Sequence, residues 1–413
     1  MEAAGWDVSV QSFDFRTFES LSPSVLERVS PPPAGPLEHI IMSYSGSGDV
    51  TAAVSVPSGD FRGCSASDFA GFPAGNIALI SRGAPTGFPV ACTFGLKATN
   101  AINAGAAGVV IYNNAAGPLA GTLGSNFMPD VPVVGITQAL GVELSQTPGL
   151  VLRIATETLR ETKSTSNVLA ELPGKNADNV VMAGAHLDSV AAGPGINDNG
   201  SGSAALLEVG QQLAKVKPQN TIRLAWWGAE EANLVGSTLY VNSLSEDELG
   251  KIALYLNFDM IGSPNHFFGI YDGDDSDAVG AGPGPAGSAQ IERTFEEFFE
   301  MRGLPHQGTD FTGRSDYGPF IAVGIPSGGL FTGAEGIKTA QEAALYGGTA
   351  GIAYDPCYHS ACDTFDNVNL VALEANSDAI AYAVLSYAMN TGLINGEKGK
   401  GNFKAPALEQ SAM

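Results

Sequence analysis

The strongest constraint on the fold of this chain is an alternation that runs from about residue 166 to residue 390. Apolar runs at 179–184, 221–227, 252–258 and 326–331 have the length and bounding turns of buried strands, while 203–216, 234–243, 288–302 and 371–390 carry helical spacing. Strands that alternate with helices build a largely parallel sheet covered on both faces. The predicted class is α/β, with a mixed, largely parallel sheet sandwiched by helices.

Open sheets of this kind bind ligands outside the carboxyl ends of their strands, and three of the predicted strands end in polar chemistry. The run before Gly184 leads into His186-Leu-Asp188 and then the loop Asn197-Asp198-Asn-Gly-Ser-Gly, ahead of a helix begun at Ser203. The run to Trp227 leads into Glu230-Glu231, and the run to Phe258 into Asp259-Met260. A second histidine, His359, lies in Tyr354-Asp-Pro-Cys-Tyr-His-Ser-Ala-Cys362. A lone His-x-Asp says little. Two imidazoles and several carboxylates, each on its own loop, suit catalytic zinc, which takes nitrogen and oxygen ligands and keeps one position open.

His186-x-Asp188, Asp198-Asn-Gly-Ser-Gly, Glu230-Glu231, Asp259-Met260 and Tyr358-His359 resemble, in order and setting, the co-catalytic di-zinc aminopeptidases of the M28 family, across residues 160–392. The resemblance implies a zinc-peptidase fold and two Zn2+ ions. His186 and Asp259 would hold one, Glu231 and His359 the other, and Asp198 would bridge them, followed by a cis peptide bond. It also implies Glu230 as general base, Tyr358 as hydrogen-bond donor to the oxyanion, Asp188 as a support for His186 or its loop, and Arg314 beside the substrate. Peptide hydrolysis needs a strong nucleophile and a stabilised oxyanion, which a metal pair and a nearby donor supply. Met260 and Phe331, with Tyr358, are expected to line a pocket for bulky apolar N-terminal residues such as leucine. The alternatives are a dipeptidase or carboxypeptidase on a related scaffold, a one-zinc glutaminyl cyclase, or a receptor-like domain pair without ligands; here every ligand position is filled.

The Pro-rich joint Ser30-Pro-Pro-Pro-Ala-Gly-Pro36 marks a change of character. Beyond it, 48–57, 77–82, 108–113 and 131–136 read as strands and 96–104 as a helix. Asn76-Ile-Ala-Leu-Ile-Ser-Arg-Gly, Cys92-Thr-Phe-Gly-Leu-Lys-Ala-Thr-Asn-Ala and Ala106-Ala-Gly-Val-Val-Ile-Tyr-Asn-Asn are similar to the protease-associated (PA) domain. The expected organisation is therefore 1–35 as the first part of the catalytic domain, 36–157 as a mainly β PA insert, 158–394 as the catalytic domain and 395–413 as an unstructured tail. With no histidine and few acids at its strand ends, the insert is expected to be a wall or lid rather than a site. In the M28 family a further helix precedes Glu2, so the chain's start reads as truncated. Trp6, Val8 and Val10 read as an alternating strand.

A length of 413 residues favours two domains. The net charge of −23 argues against nucleic acid, which needs a basic footprint. No apolar run is long enough for a transmembrane span, and no signal peptide begins at Met1. Neighbourhood pairs Cys64 with Cys92 and Cys357 with Cys362, although four cysteines allow three connectivities and sequence alone does not choose. Such pairs point to an oxidising compartment and a secreted protein; the competing reading is a thiolate metal site at Cys357, His359 and Cys362. Asp272-Gly-Asp-Asp-Ser-Asp277 lacks the pattern of an EF-hand loop and reads as a solvated turn. Calcium near Asp378 is the weaker expectation. The expected partners are peptides with a free N-terminus, not nucleic acid or membrane; oligomeric state is open.

Overall fold

The computed structural model describes residues 1–280 and 282–396. The chain divides into two units, one formed by Met1–Phe13 with the chain from Ser164 onward, the other by Asp14–Lys163.

The first unit is organised by an eight-stranded sheet. Its centre is Asn220–Trp227, Asn176–His186, Ile252–Phe258 and Ser327–Phe331, all parallel. Thr162–Leu172 and Gly269–Tyr271 flank this centre antiparallel, so the sheet is mixed. Because successive side chains on a strand point to opposite faces, the central strand feeds two cores. Val181, Ala183 and Ala185 join Leu206, Phe295 and Ile380 of the helices Gly202–Leu213, Ser288–Arg302 and Leu370–Met389. Met182 faces the other way, with Tyr240 and Phe320 of the helices Val235–Ser243 and Tyr317–Ala322. Burial on both faces is why these strands read as unbroken apolar runs. Asp7–Arg16 forms the outer edge of the sheet. Trp6 and Phe13 are buried there but Val10 is 61% exposed, so the expected alternation fails on a strand only partly covered by the core.

The second unit carries its own eight-stranded sheet, with the helices Phe94–Asn103 and Gln138–Ser145 and two separate apolar cores. Gly48–Ser55, Ile77–Ser81, Gly108–Tyr112 and Val133–Ile136 run parallel through it. Its boundary differs from the expected residue 36. Val25–Ser30 pairs antiparallel with Val151–Thr156, and Gly35–Pro36 folds back on Glu27 and Arg28, so the Pro-rich stretch turns a corner inside this unit. Cys64 and Cys92 are joined here.

At the far end Asn395 closes the short helix Gly392–Asn395; the remainder of the expected tail, 397–413, lies outside the described residues. Among the described residues no helix is long and apolar enough to cross a membrane.

Candidate metal centre

Six side chains converge where the parallel strands end. The ligand atoms of His186, Glu230 and Asp259 lie within 4.8 Å of one another, and so do those of Asp198, Glu231 and His359. His186 closes its strand and is 1% exposed. Its Nδ1 lies 3.0 Å from the carbonyl oxygen of Asp188. A carbonyl only accepts, so Nδ1 carries a proton and Nε2 is the nitrogen turned to the centre. That Nε2 stands 3.2 Å from Asp259 Oδ1 and 3.3 Å from Asp198 Oδ1. His359 Nε2 stands 3.2 Å from Asp198 Oδ2 and 3.0 Å from Glu231 Oε2. Asp198 therefore offers one oxygen to each histidine, as a bridging carboxylate does. Glu230 Oε2 is farther off, at 4.0 Å from His186 Nε2.

The loops that carry these groups are held from outside. Asp188 uses its carboxylate to accept the backbone N–H of Glu230 at 2.9 Å and of Glu231 at 3.2 Å. It thus secures the neighbouring loop, while its backbone, not its carboxylate, orients His186. Asp363 accepts the N–H groups of Asn197 and Asp198. Asn199, joined to Asp198 by a cis bond, donates to Phe258 O and accepts from the N–H of Met260 and Gly202. A Cβ at Gly202 would lie 2.2 Å from Phe258 O, so only glycine lets this helix start press against the strand end that delivers Asp259. Ser315 donates its hydroxyl to Asp259 Oδ2 at 2.6 Å. Asp363, Asn199 and Ser315 were not singled out in the sequence. Ser315 follows Arg314 directly and Asp363 follows Cys362, and neither neighbour signals a supporting role.

Cys357 and Cys362 form a disulfide around Tyr358 and His359, which removes the thiolate-metal reading because both sulfurs are consumed. The rings of Tyr358 and His359 stack at 3.8 Å. Arg314 donates to Tyr358 Oη at 3.2 Å and is anchored by Glu335 at 2.7 Å. Asp198, Glu230, Glu231, Asp259, Met260, Arg314, Phe331 and Tyr358 line one cavity of about 110 Å³.

Electrostatics follow from burial and proximity. Burial opposes ionisation of Asp198, yet its bonds to His186 and His359 hold it down to about 2. Burial also opposes a charged His359, but Asp198 and Glu231 raise it to about 9. His186 is likewise raised despite burial, by Asp259 and Glu230. Burial lifts Glu230 well above the ordinary carboxylate range, with Asp259, Asp316 and Glu231 adding to the effect. The imidazoles hold protons because carboxylates surround them.

Whether zinc fits can be judged on these residues. Ligands about 2.0–2.1 Å from a tetrahedral zinc lie about 3.3 Å apart, which matches the imidazole–carboxylate separations above. Glu231 Oε1 is buried without a hydrogen-bond partner, one of three such side-chain atoms among the described residues. Such an atom is costly unless something else satisfies it. The donor set, imidazole nitrogen with carboxylate oxygen, is that of zinc.

A third group of donors, Asp272, Asp274 and Glu292, also converges. Asp272 is buried rather than solvated, because its carboxylate accepts the N–H groups of Ser276 and Asp277 and folds its own turn. Asp378 is paired with Arg302 at 3.0 Å on the surface.

Fold and site together define a mixed α/β metallohydrolase built around paired candidate metal sites. Residues 167–384 match the model of peptidase family M28, and 47–144 match the PA domain. The chain is 49% identical over 420 residues to an aminopeptidase of Pseudomonas aeruginosa, covering 98% of this chain and 77% of the relative. It is 51% identical over 330 residues to the probable leucine aminopeptidase 2 of Arthroderma benhamiae, covering 79% of this chain and 65% of the relative. Among solved structures, an aminopeptidase from Aneurinibacillus sp. strain AM-1 superposes with a TM-score of 0.69 at 29% identity, covering 93% of this chain and 84% of that one. The chain belongs to peptidase family M28 and carries a PA domain.

Proposed function

We propose that this zinc-dependent aminopeptidase removes bulky apolar residues from peptides with a free N-terminus, with Glu230 as general base. The observation that carries this reading is the single cavity in which the carboxylates of both clusters meet the apolar side chains of Met260 and Phe331. When bound, two zinc ions supply a water of lowered pKa and polarise the scissile carbonyl. His186 and Asp259 would hold one, Glu231 and His359 the other, and Asp198 both. Glu230 takes the proton of the attacking water and returns it to the leaving amine. Tyr358 accepts from Arg314, which leaves its own O–H free to donate to the oxyanion. Glu230 and Asp259 receive the substrate's ammonium group, so a blocked terminus loses its anchor.

Burying leucine rather than alanine against Met260 and Phe331 is worth about 1.5–3 kcal/mol, or roughly tenfold to over a hundredfold in kcat/KM. Comparing leucine, alanine, lysine and N-acetyl-leucine anilides tests the reading. Leucine should lead; preference for alanine or lysine discards the pocket, and ready cleavage of the acetylated substrate discards the aminopeptidase. Zinc stoichiometry separates it from a one-zinc cyclase. We further propose a secreted protein, supported by the two disulfides; activity confined to the cytosolic fraction of its natural host would count against this.

A further inference from the structure

Lys97, on the helix Phe94–Asn103 of the second unit, is a cation with 0% exposure. Its ammonium group donates to Arg62 O at 2.5 Å and to Gly83 O at 2.6 Å, and its third neighbour is Cys64 Sγ at 3.5 Å. Among the described residues it has no carboxylate partner. Asp60 is occupied by the guanidinium of Arg62, and Asp68 accepts the backbone N–H groups of Asp60 and Ser65. Burial lowers Lys97 to about 8, with Arg62 adding to this and Asp60 and Asp68 opposing it through space, so it is still a cation at pH 7. A buried charge without a countercharge is costly. Here two neutral carbonyls and a neutral disulfide surround it.

The two sulfurs of that disulfide differ in access. Cys64 is 2% exposed, whereas Cys92 is partly exposed and follows the exposed run 89–91, in which Val90 is 60% exposed. An incoming thiolate therefore meets Cys92 first. Attack there leaves the electron pair of the broken S–S bond on Cys64, the sulfur that faces Lys97. The thiolate so formed gives the buried ammonium the countercharge it lacks, and a sulfur whose thiol is made more acidic by a nearby cation leaves faster.

We propose that Cys92 is a modification site for low-molecular-weight thiols, with Lys97 as the group that receives the departing Cys64 thiolate. A thiol R–SH enters as its thiolate, its proton passing to solvent. R–S–S–Cys92 forms, the Cys64–Cys92 bond breaks, and Cys64 becomes a thiolate paired with Lys97. A second thiol then releases R–S–S–R and leaves both cysteines reduced. No group of the metal centre takes part.

The test is reaction of the oxidised protein with reduced glutathione at pH 7, quenched with acid and followed by peptide mapping. In the parent protein the glutathione adduct should be found on Cys92 and not on Cys64. Lys97→Met keeps most of the stem and removes the charge. It should slow adduct formation about tenfold, as expected for a leaving thiol about two units less acidic at a Brønsted slope of about 0.5. Cys92→Ala gives a readout that does not depend on how well Lys97→Met folds. Its free Cys64 thiol, followed by thiolate absorbance against a control that lacks both cysteines, should titrate at least about one unit below the ordinary value of about 8.5, although burial alone would raise it. An adduct on Cys64, a rate unchanged or increased by Lys97→Met, or a Cys64 that titrates at or above its ordinary value overturns the proposal.

Discussion

Glu230 sits 4.0 Å from His186 Nε2, beyond the separations expected of two ligands on one zinc, in a setting that raises its pKa by burial. Glu230→Gln should therefore keep two equivalents of zinc while kcat falls by about 10² to 10⁴. Near-normal turnover would move the base elsewhere. Tyr358→Phe should lower kcat more than it raises KM, because its hydrogen bond strengthens only as the oxyanion develops; a change confined to KM would make Tyr358 a binding residue. The pairing of His359 with Asp198 gives a pH signature in the metal-free protein. His359 is raised from 6.5 to about 9, so its contribution to stability is complete below 6.5 and is lost as pH climbs through about 9. Asp198 is lowered from 3.8 to about 2, so its contribution is complete above 3.8 and is lost as pH falls through about 2. Both are intact between about 4 and 6.5. Zinc binding at pH 7 must then displace a proton from His359, and that share of the release should fade as pH passes about 9. Calorimetric titration in buffers of different ionisation enthalpy measures it, and a release that shows no decline between pH 7 and 10 beyond that of a His359→Ala variant would contradict the assignment.

The ligands arrive on separate elements, so their geometry is only as good as the loops that join them. Asp188 is the clearest case: one carboxylate ties the loop after Trp227 to the loop after His186 through two backbone N–H groups. Asp188→Ala leaves those groups unpaired and should weaken zinc affinity by about 10- to 100-fold, the usual effect of losing a supporting partner, with the far-ultraviolet circular dichroism unchanged. Unaltered affinity would reduce Asp188 to a surface loop residue. This distinction marks how far the sequence could be read. Strand and helix positions were legible because burial on both faces writes unbroken apolar runs, and the residues of the two candidate metal clusters stood out because few side-chain types bind zinc. Asp363, Asn199 and Ser315 were not, since a hydrogen bond formed across 55 to 165 intervening residues leaves no local pattern. The domain boundary at Asp14 was missed for a related reason: Val25–Ser30 belongs with Val151–Thr156, and only long-range pairing reveals it.

At the scale of the whole molecule, hydrophobic clusters and metal ligands divide unequally. Each unit has two buried cores drawn entirely from its own residues, and every residue of the paired metal clusters lies in the unit that runs from Ser164. Units with separate cores are expected to unfold as separate cooperative transitions. A ligand that binds only the folded state stabilises by RT ln(1 + [L]/Kd), about 2.7 kcal/mol at a hundredfold excess over Kd. For a unit of about 150–250 residues each kcal/mol moves Tm by roughly 2–4 °C. Chelation should therefore lower one calorimetric transition by roughly 5–10 °C and leave the other in place. Reduction reaches the transition that chelation spares: opening Cys64–Cys92 destabilises the Asp14–Lys163 unit, which zinc does not protect, besides any effect of opening Cys357–Cys362 on the metal unit. Differential scanning calorimetry with and without chelator, repeated with and without reductant, gives four traces. A single transition that responds identically to chelator and reductant would mean that the two units fold as one, and that zinc holds the PA unit as firmly as it holds its own loops.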